Sequence, residues 1–213
     1  MPSILHETFS QASLSPGLQW FCEPAGWSID AESAALTLSP DAETDFWQRT
    51  HYGFRADNGH LLYALVEGDF QMETNVRFQG LHQYDQAGLM LRFSPDCWLK
   101  TSVEFEPSEP EGPMVPNRLG VVVTRHGYSD WSTQDIDPEL QDFGFRVTRR
   151  GDDYLVEASV DGGPFTQIRL AHLDSPLPDG PGATQALQAG LYACSPKRGG
   201  FAARFSQLQI DRL

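Results

Sequence analysis

The stretch Asp69–Gln79, which reads DFQMETNVRFQ, decides the fold class of this 213-residue chain. Every second residue from Phe70 to Phe78 is apolar, apart from Thr74, and the residues between them are polar or charged. This period of two is typical of a β-strand with one buried face, whereas an amphipathic helix would place its apolar residues three and four apart. The segment is therefore predicted to be a strand.

Other short segments, rich in β-branched and aromatic residues, are bounded by Gly, Pro, Asp or Ser and are also predicted to be strands. Ala31–Leu38, the best candidate for a helix, is short and is predicted to be a turn followed by a strand. Roughly ten to thirteen strands without interleaved helices predict an all-β fold. We expect a single domain over residues 1–213, a sandwich of two antiparallel sheets. The further predicted strands span residues 60–67, 87–93, 98–106, 119–126, 143–150, 154–160, 165–170, 187–193 and 201–210.

Two proline-rich segments interrupt the strand pattern. Pro107–Pro116 and Asp174–Thr184 are predicted to be long exposed connections, which makes them candidates for contact with a protein partner. The strand pattern resumes after each of them, so neither is taken as a domain boundary.

The composition argues against several classes of function. A formal net charge of −14 disfavours binding to nucleic acids and to anionic membranes. The histidines and the three cysteines lack the spacing of a metal site or a disulfide framework, and no nucleotide-binding glycine motif is present. No cofactor and no metal are therefore predicted, and with no secretory signal in the N-terminal residues we expect a cytoplasmic protein.

Seven short motifs, in this order along the chain, resemble the regulation-of-enolase family, a domain family of unknown biochemical function. The resemblance covers about residues 10–211 and implies a jelly roll of the concanavalin A-like lectin/glucanase type. It implies no catalytic residue, although the family name suggests a protein-interaction regulator of carbon metabolism linked to enolase. The motifs are DFWQRTHYG (45–53), DNGH (57–60), QYDQAGLM (83–90), WLK (98–100), GYSDWS (127–132), RRGDD (149–153) and YACSP (192–196).

The segments 86–93 and 98–106 are predicted to pair as a hairpin with one aliphatic and one polar face. An aromatic ring beside fixed donors and acceptors is the combination that a sugar site needs, which predicts a carbohydrate-type ligand on this concave face. An ordinary solvated sheet face with cross-strand ion pairs is the alternative. Gly88, in the middle of a strand, indicates a close approach to the backbone. The polar face holds Gln86, Arg92, Trp98, Lys100 and Glu104.

Two groups of residues are expected at the edge of this face. Tyr128, Asp130 and Trp131 lie in a segment predicted to be a loop, where they would either bind a ligand or serve the turn. His51 and Tyr84 are further candidates for the same rim.

Glu104 and Glu106 are the candidate catalytic residues if the protein is a weak glycoside hydrolase. Two positions apart on one strand, they would point the same way and could act as a pair. The resemblance implies related glucanases that place three acidic residues on such a strand in an E-x-D type of pattern, whereas here the residue between the two glutamates is Phe105 and Glu106 is followed by Pro107 at the strand end. Whether the protein is an enzyme stays open at this point.

Overall fold

The computed structural model of the chain describes residues 2–109, 112, 114–174 and 186–213. None of these residues is helical, and none belongs to a helix long and apolar enough to span a membrane. The strands of the described part are β1 (Ser3–Glu7), β2 (Gln19–Phe21), β3 (Gly26–Asp30), β4 (Ala35–Ser39), β5 (Phe46–Gln48), β6 (Arg55–Asp57), β7 (His60–Val66), β8 (Phe70–Arg77), β9 (Gln86–Ser94), β10 (Cys97–Glu104), β11 (Asn117–Arg125), β12 (Tyr128–Ile136), β13 (Asp142–Arg150), β14 (Asp153–Val160), β15 (Thr166–His172), β16 (Leu187–Cys194) and β17 (Ala203–Arg212).

Two large antiparallel sheets form the sandwich, which confirms the predicted fold class. The first sheet has the order β15-β14-β13-β8-β17-β4-β3, and β1 also pairs with β17. The second sheet has the order β12-β11-β10-β9-β16-β7-β2. A separate two-stranded ribbon, β5-β6, carries residues that cover the second sheet.

The alternation in β8 fits the sandwich. Phe70, Met72 and Val76 are buried in the main core, and they alternate with more exposed polar residues. Thr74 is also fully buried, and its hydroxyl donates a hydrogen bond of 2.6 Å to the carbonyl of Gln207, where the register of β17 shifts. The polar residue in the inward series is thus satisfied by an irregularity of the neighbouring strand.

The predicted meander of β13, β14 and β15 is confirmed. Its turns contain Gly151, Asp161 and Gly162 with φ of 60°, 48° and 69°, the positive values that tight hairpins require. The prediction for Ala31–Leu38 also holds, because a turn leads into β4. Most of the predicted loop 174–184 lies outside the described residues, and so do residues 110, 111 and 113 of the predicted loop 107–116.

Candidate functional site

The β9–β10 hairpin has the two faces that the sequence predicts. Alternate side chains point into the main core between the sheets, and the others point outward. A turn after Ser94 joins the strands, and Trp98 lies opposite Arg92, Lys100 opposite Met90, Ser102 opposite Gly88 and Glu104 opposite Gln86.

The outward face of the hairpin is covered by residues 43–54, which contain β5 and are named the covering segment. Phe46 is fully buried and meets the rings of Trp98 and Tyr192 edge-on, at centroid distances of 6.2 and 6.3 Å. These side chains, with Trp47, Leu61, Met90, Val122 and Cys194, form a second apolar cluster outside the sandwich. The polar face of the hairpin is therefore an interior surface rather than a solvated one.

A cavity of about 360 Å³ remains between this covering segment and the sheet. Aromatic side chains form much of its wall, and the ring of Trp131 meets that of Trp47 at 83°, with 6.3 Å between centroids. Polar side chains of β9, β10 and the segment before β5 form its floor. The aromatic lining is Trp47, Tyr52, Phe54, Tyr84 and Trp131, and the charged or amide lining is Glu43, Asp45, Gln86, Lys100, Glu104 and Lys197.

Lys100 anchors the floor. Its side chain is buried, and Nζ donates hydrogen bonds to Asp45 Oδ1 at 3.2 Å, to the carbonyl of Phe46 at 2.8 Å and to Gln86 Oε1 at 2.8 Å. An ammonium has three protons to donate. All three are used, so Lys100 holds the covering segment on the sheet and has no proton left for a ligand.

Gln86 is saturated in the same way. Its Oε1 accepts from Lys100 and from the hydroxyl of Tyr192 at 3.2 Å. Its Nε2 donates to the carbonyl of Tyr84 at 3.1 Å and to Glu104 Oε2 at 3.3 Å. These partners fix the orientation of the amide, and they leave none of its four hydrogen-bonding positions open.

Glu104 is different. Only 9% of its surface is exposed, and Oε1 has no hydrogen-bond partner among the described residues. Burial raises the pKa of this carboxyl from 4.5 to about 8, the nearby Lys100 opposes the rise, and Asp45 adds to it. Buried carboxyl oxygens normally have partners, so an unpartnered one at the wall of a cavity indicates a position for a ligand.

The exposed end of the cavity is aromatic and basic. Tyr52 and Phe54 are exposed, and the ring of Tyr52 lies 5.6 Å from that of Trp47. Lys197 Nζ is 5.4 Å from the centroid of the Tyr84 ring, the position of a cation–π contact.

The structure brings five of the predicted site residues together. Gln86, Lys100, Glu104, Tyr84 and Trp131 all line the cavity.

Trp98 and Arg92 require a correction. No part of Trp98 is exposed, because Phe46 covers it and its indole nitrogen donates to the carbonyl of Pro95, so it offers no stacking face to a ligand. Arg92 is held by Asp57 at 2.7 and 3.2 Å and by Gln188 at 3.0 Å, away from the cavity lining. Both residues act in packing the covering segment onto the sheet.

The predicted loop at Tyr128–Trp131 is also wrong, because these residues begin β12. Successive side chains of a strand point to opposite faces. Trp131 reaches the cavity, whereas Tyr128 lies beneath the Arg49 guanidinium, 5.3 Å away, and Asp130 pairs with Arg169 at 3.3 Å. His51 is exposed and packs edge-on against Tyr52 rather than lining the cavity.

Neither Glu106 nor Gly88 lies in the lining of the cavity. Glu106 lies beyond the end of β10, where Oε2 accepts from Gln83 at 3.0 Å, and it does not line the cavity. At Gly88 a Cβ atom would stand 2.0 Å from the carbonyl oxygen of Thr101. The close approach that this glycine permits is therefore that of the neighbouring strand.

Sequence reasoning named His51 and Tyr52 as candidates for the rim but missed the rest of the contribution of the covering segment. Asp45, Trp47, Tyr52 and Phe54 all lie within or next to the DFWQRTHYG motif, and Lys197 follows the YACSP motif. The density of aromatic residues in the first motif was a signal for a site. The position of the segment over the sheet could not be predicted, because its sequence has no regular periodicity.

Comparison with known proteins identifies the family. Residues 20–213 match the family described as "Protein of unknown function (DUF1349)". The chain is also 35% identical to "Regulation of enolase protein 1" of Saccharomyces cerevisiae over 193 residues, which is 90% of this chain and 87% of the yeast protein. The chain therefore belongs to this family of unknown function, as the motifs in its sequence suggest.

Solved structures share the fold. A functionally unknown protein from Saccharomyces cerevisiae superposes with a TM-score of 0.79 and 30% identity, over 92% of this chain and 97% of that one. The GH43 protein BlXynB from Bacillus licheniformis, as its K247S mutant, gives a TM-score of 0.74 at 17% identity, over 98% of this chain and 39% of that one. A xylan β-1,4-xylosidase from Bacillus halodurans gives 0.72 at 12% identity, over 97% and 38%. The likeness to these enzymes concerns the fold.

Proposed function

We propose that the cavity over the β9–β10 hairpin binds a carbohydrate-type ligand of about the size of one sugar ring, in a cytoplasmic protein. The observation that carries the proposal is the buried Glu104 Oε1, which has no hydrogen-bond partner among the described residues and belongs to a side chain that lines an aromatic-walled cavity. Aromatic faces suit the C–H groups of a sugar ring, and a fixed carboxyl suits its hydroxyls. The volume of about 360 Å³ lies at the lower end of the range for small-molecule sites.

The state of Glu104 supports this use. With a pKa of about 8, the carboxyl is largely protonated at neutral pH and can donate a hydrogen bond as well as accept one. A sugar hydroxyl offers the complementary pair of roles. The saturated Lys100 and Gln86 keep the carboxyl in place.

The test is a panel of neutral monosaccharides, including glucose, galactose and xylose, measured by isothermal titration calorimetry. We expect at least one to bind wild-type protein and to bind the Trp131→Ala variant at least about tenfold more weakly, because the variant loses a stacking wall. Tyr128→Ala is the matched control, since Tyr128 is an aromatic residue of the same strand outside the cavity lining. Equal losses in the two variants, or no binding by any sugar, would overturn the proposal.

A second candidate is a protein-interaction regulator of carbon metabolism. The observation that favours it is the family relationship to a yeast protein named for the regulation of enolase. Light scattering of a mixture of the purified chain and purified enolase tests this regulatory role. A complex of the two proteins supports the role. Two separate species at high concentration exclude direct regulation of the enolase used.

A glycoside hydrolase that uses Glu104 with Glu106 is the third function to test. Glu104 has the raised pKa of a general acid, but the second carboxyl lies outside the cavity lining. Turnover of aryl glycosides that disappears in Glu104→Gln would establish the activity, and turnover unaltered by the substitution would exclude Glu104 from it.

A further inference from the structure

The cavity floor offers no free charged hydrogen-bond donor to an anionic ligand. The protons of Lys100 and the amide of Gln86 are already taken by residues of the floor and of the covering segment. A carboxylate or phosphate needs charge-assisted donors to leave water. Among the described residues that line the cavity, the ammonium group other than that of Lys100 belongs to Lys197, which lies at the exposed end beside Tyr84.

A cation, in contrast, meets carboxyl groups and aromatic ring faces in this lining, as well as the two ammonium groups. Three carboxyl groups, those of Glu43, Asp45 and Glu104, line the cavity against the two ammonium groups of Lys100 and Lys197. Asp45 is paired with Lys100 and Glu43 is exposed, so Glu104 is the buried carboxyl left to balance a ligand charge. The faces of the surrounding aromatic rings carry the negative part of their quadrupole and attract cations.

We infer that the sugar bound here is an amino sugar, whose protonated amine lies against Glu104 Oε1 while its ring packs between the aromatic walls. The inference rests on the proposed function and narrows it to one chemical class. The amine supplies both the missing hydrogen bond to Oε1 and the counter-charge that this buried carboxyl lacks.

Binding of this kind is coupled to a proton. The charged groups that act on Glu104 are Lys100, Asp45, Glu106 and Arg118, and with them in place the carboxyl has a pKa of about 8. It is therefore neutral at about pH 6 in the empty protein. An ammonium placed beside it favours the ionised form, so the carboxyl releases its proton to solvent as the amino sugar binds.

Calorimetry of the wild-type protein with four small ligands tests the inference. Glucosamine carries the amine, glucose has a hydroxyl in its place, N-acetylglucosamine has a neutral amide, and cyclohexylamine has the ammonium on a ring without hydroxyls. At about pH 7, where the carboxyl is about one-tenth ionised, we expect glucosamine to bind about tenfold tighter than glucose, which corresponds to a fall of about two units in the Glu104 pKa on binding. At the same pH, in buffers of different ionisation enthalpy, we expect release of most of one proton with glucosamine and none with glucose.

Glu104→Gln is the matched variant, because it keeps the size of the side chain and its bond to Gln86 but cannot ionise. We expect it to bind glucosamine and glucose equally and to release no proton. Glucose that binds wild-type protein as tightly as glucosamine, or glucosamine binding without proton release, would overturn the amino-sugar inference and leave carbohydrate binding in place. No binding by any of the sugars would overturn the proposed function itself. If cyclohexylamine binds with the same affinity as glucosamine, the site recognises ammonium groups and not sugars, which would also overturn the inference.

Discussion

The two faces of the β9–β10 hairpin are both buried, but they are buried in different ways. The inner face presents Leu89, Leu91 and Leu99 to the main core, where packing alone stabilises them. The outer face presents Gln86, Lys100 and Glu104, whose burial depends on hydrogen bonds among themselves and on those that Lys100 donates to a segment far away in sequence. An apolar face needs only neighbours of the right shape, whereas a polar face needs specific partners. Glu104 Oε1 has no such partner among the described residues, and it is there that we propose a ligand acts.

The largest effect is expected at the anchor of the outer face. Lys100→Ala removes the counter-ion of Asp45 and leaves buried acceptors without a donor, so the free energy of unfolding should fall by about 4 kcal/mol. Urea denaturation measures this loss of stability. Lys197→Ala is the control, and it should change the free energy of unfolding by no more than about 0.5 kcal/mol. A loss below about 1 kcal/mol for Lys100→Ala would mean that the buried network does not hold the covering segment.

A somewhat smaller loss is expected on the inner face. Leu91→Ala opens a cavity at a fully buried site and should lower the free energy of unfolding by about 3 kcal/mol. Because Leu91 does not line the ligand cavity, the protein that remains folded should bind its ligand as the wild type does. If Leu91→Ala instead lost ligand binding while its stability stayed unchanged, the two faces of the hairpin would not differ in the way described.

The pH dependence of stability should separate Glu104 from the rest of the outer face. Its pKa is raised from 4.5 to about 8 on folding, so the folded state holds the proton more tightly than the unfolded state does. Between these values stability falls as the pH rises, and the contribution of Glu104 should fall by about 1.4 kcal/mol per pH unit. Denaturation of the wild type and of Glu104→Gln at several pH values measures it: the variant should gain stability relative to the wild type from about pH 5 to pH 8. A constant difference between the two proteins would contradict the raised pKa.

The smallest effect concerns the second donor to Gln86. Tyr192→Phe removes the hydroxyl that Gln86 Oε1 accepts from, while the Lys100 bond to the same oxygen remains. Its expected loss is about 1 kcal/mol, the usual net value of one hydrogen bond. Tyr63→Phe, which loses a bond to Gln19 near the surface, is the control and should change stability by less. Equal changes in both variants would show that the buried position adds nothing.

The same contrast explains how far the sequence could be interpreted. The inner and outer faces of 86–106 follow from local alternation, which the backbone of a strand dictates, and both were predictable. The covering segment has positive φ at Arg49, His51 and Gly53 and no regular period, so only contacts distant in sequence decide where it lies. Trp98 was therefore expected to be exposed, although Phe46 buries it.

β12 shows a second limit of sequence reasoning. Its first residues, Tyr128 to Ser132, combine turn formers with aromatic residues and were predicted to be a loop. Pairing with β11 makes them a strand, and one consequence is that Trp131, opposite Val122, lies at the cavity while Tyr128 lies outside its lining. Pairing with a neighbour outweighs weak local preferences for strand or loop.

The most direct measurement is an NMR titration of the Glu104 side-chain carboxyl carbon in uniformly labelled protein, with Glu104→Gln used to assign the signal. In the free protein we predict a midpoint near pH 8, and saturating glucosamine should move the midpoint to lower pH. A midpoint near 4.5 that glucosamine leaves unchanged would contradict both the buried, unpartnered carboxyl and its part in ligand binding.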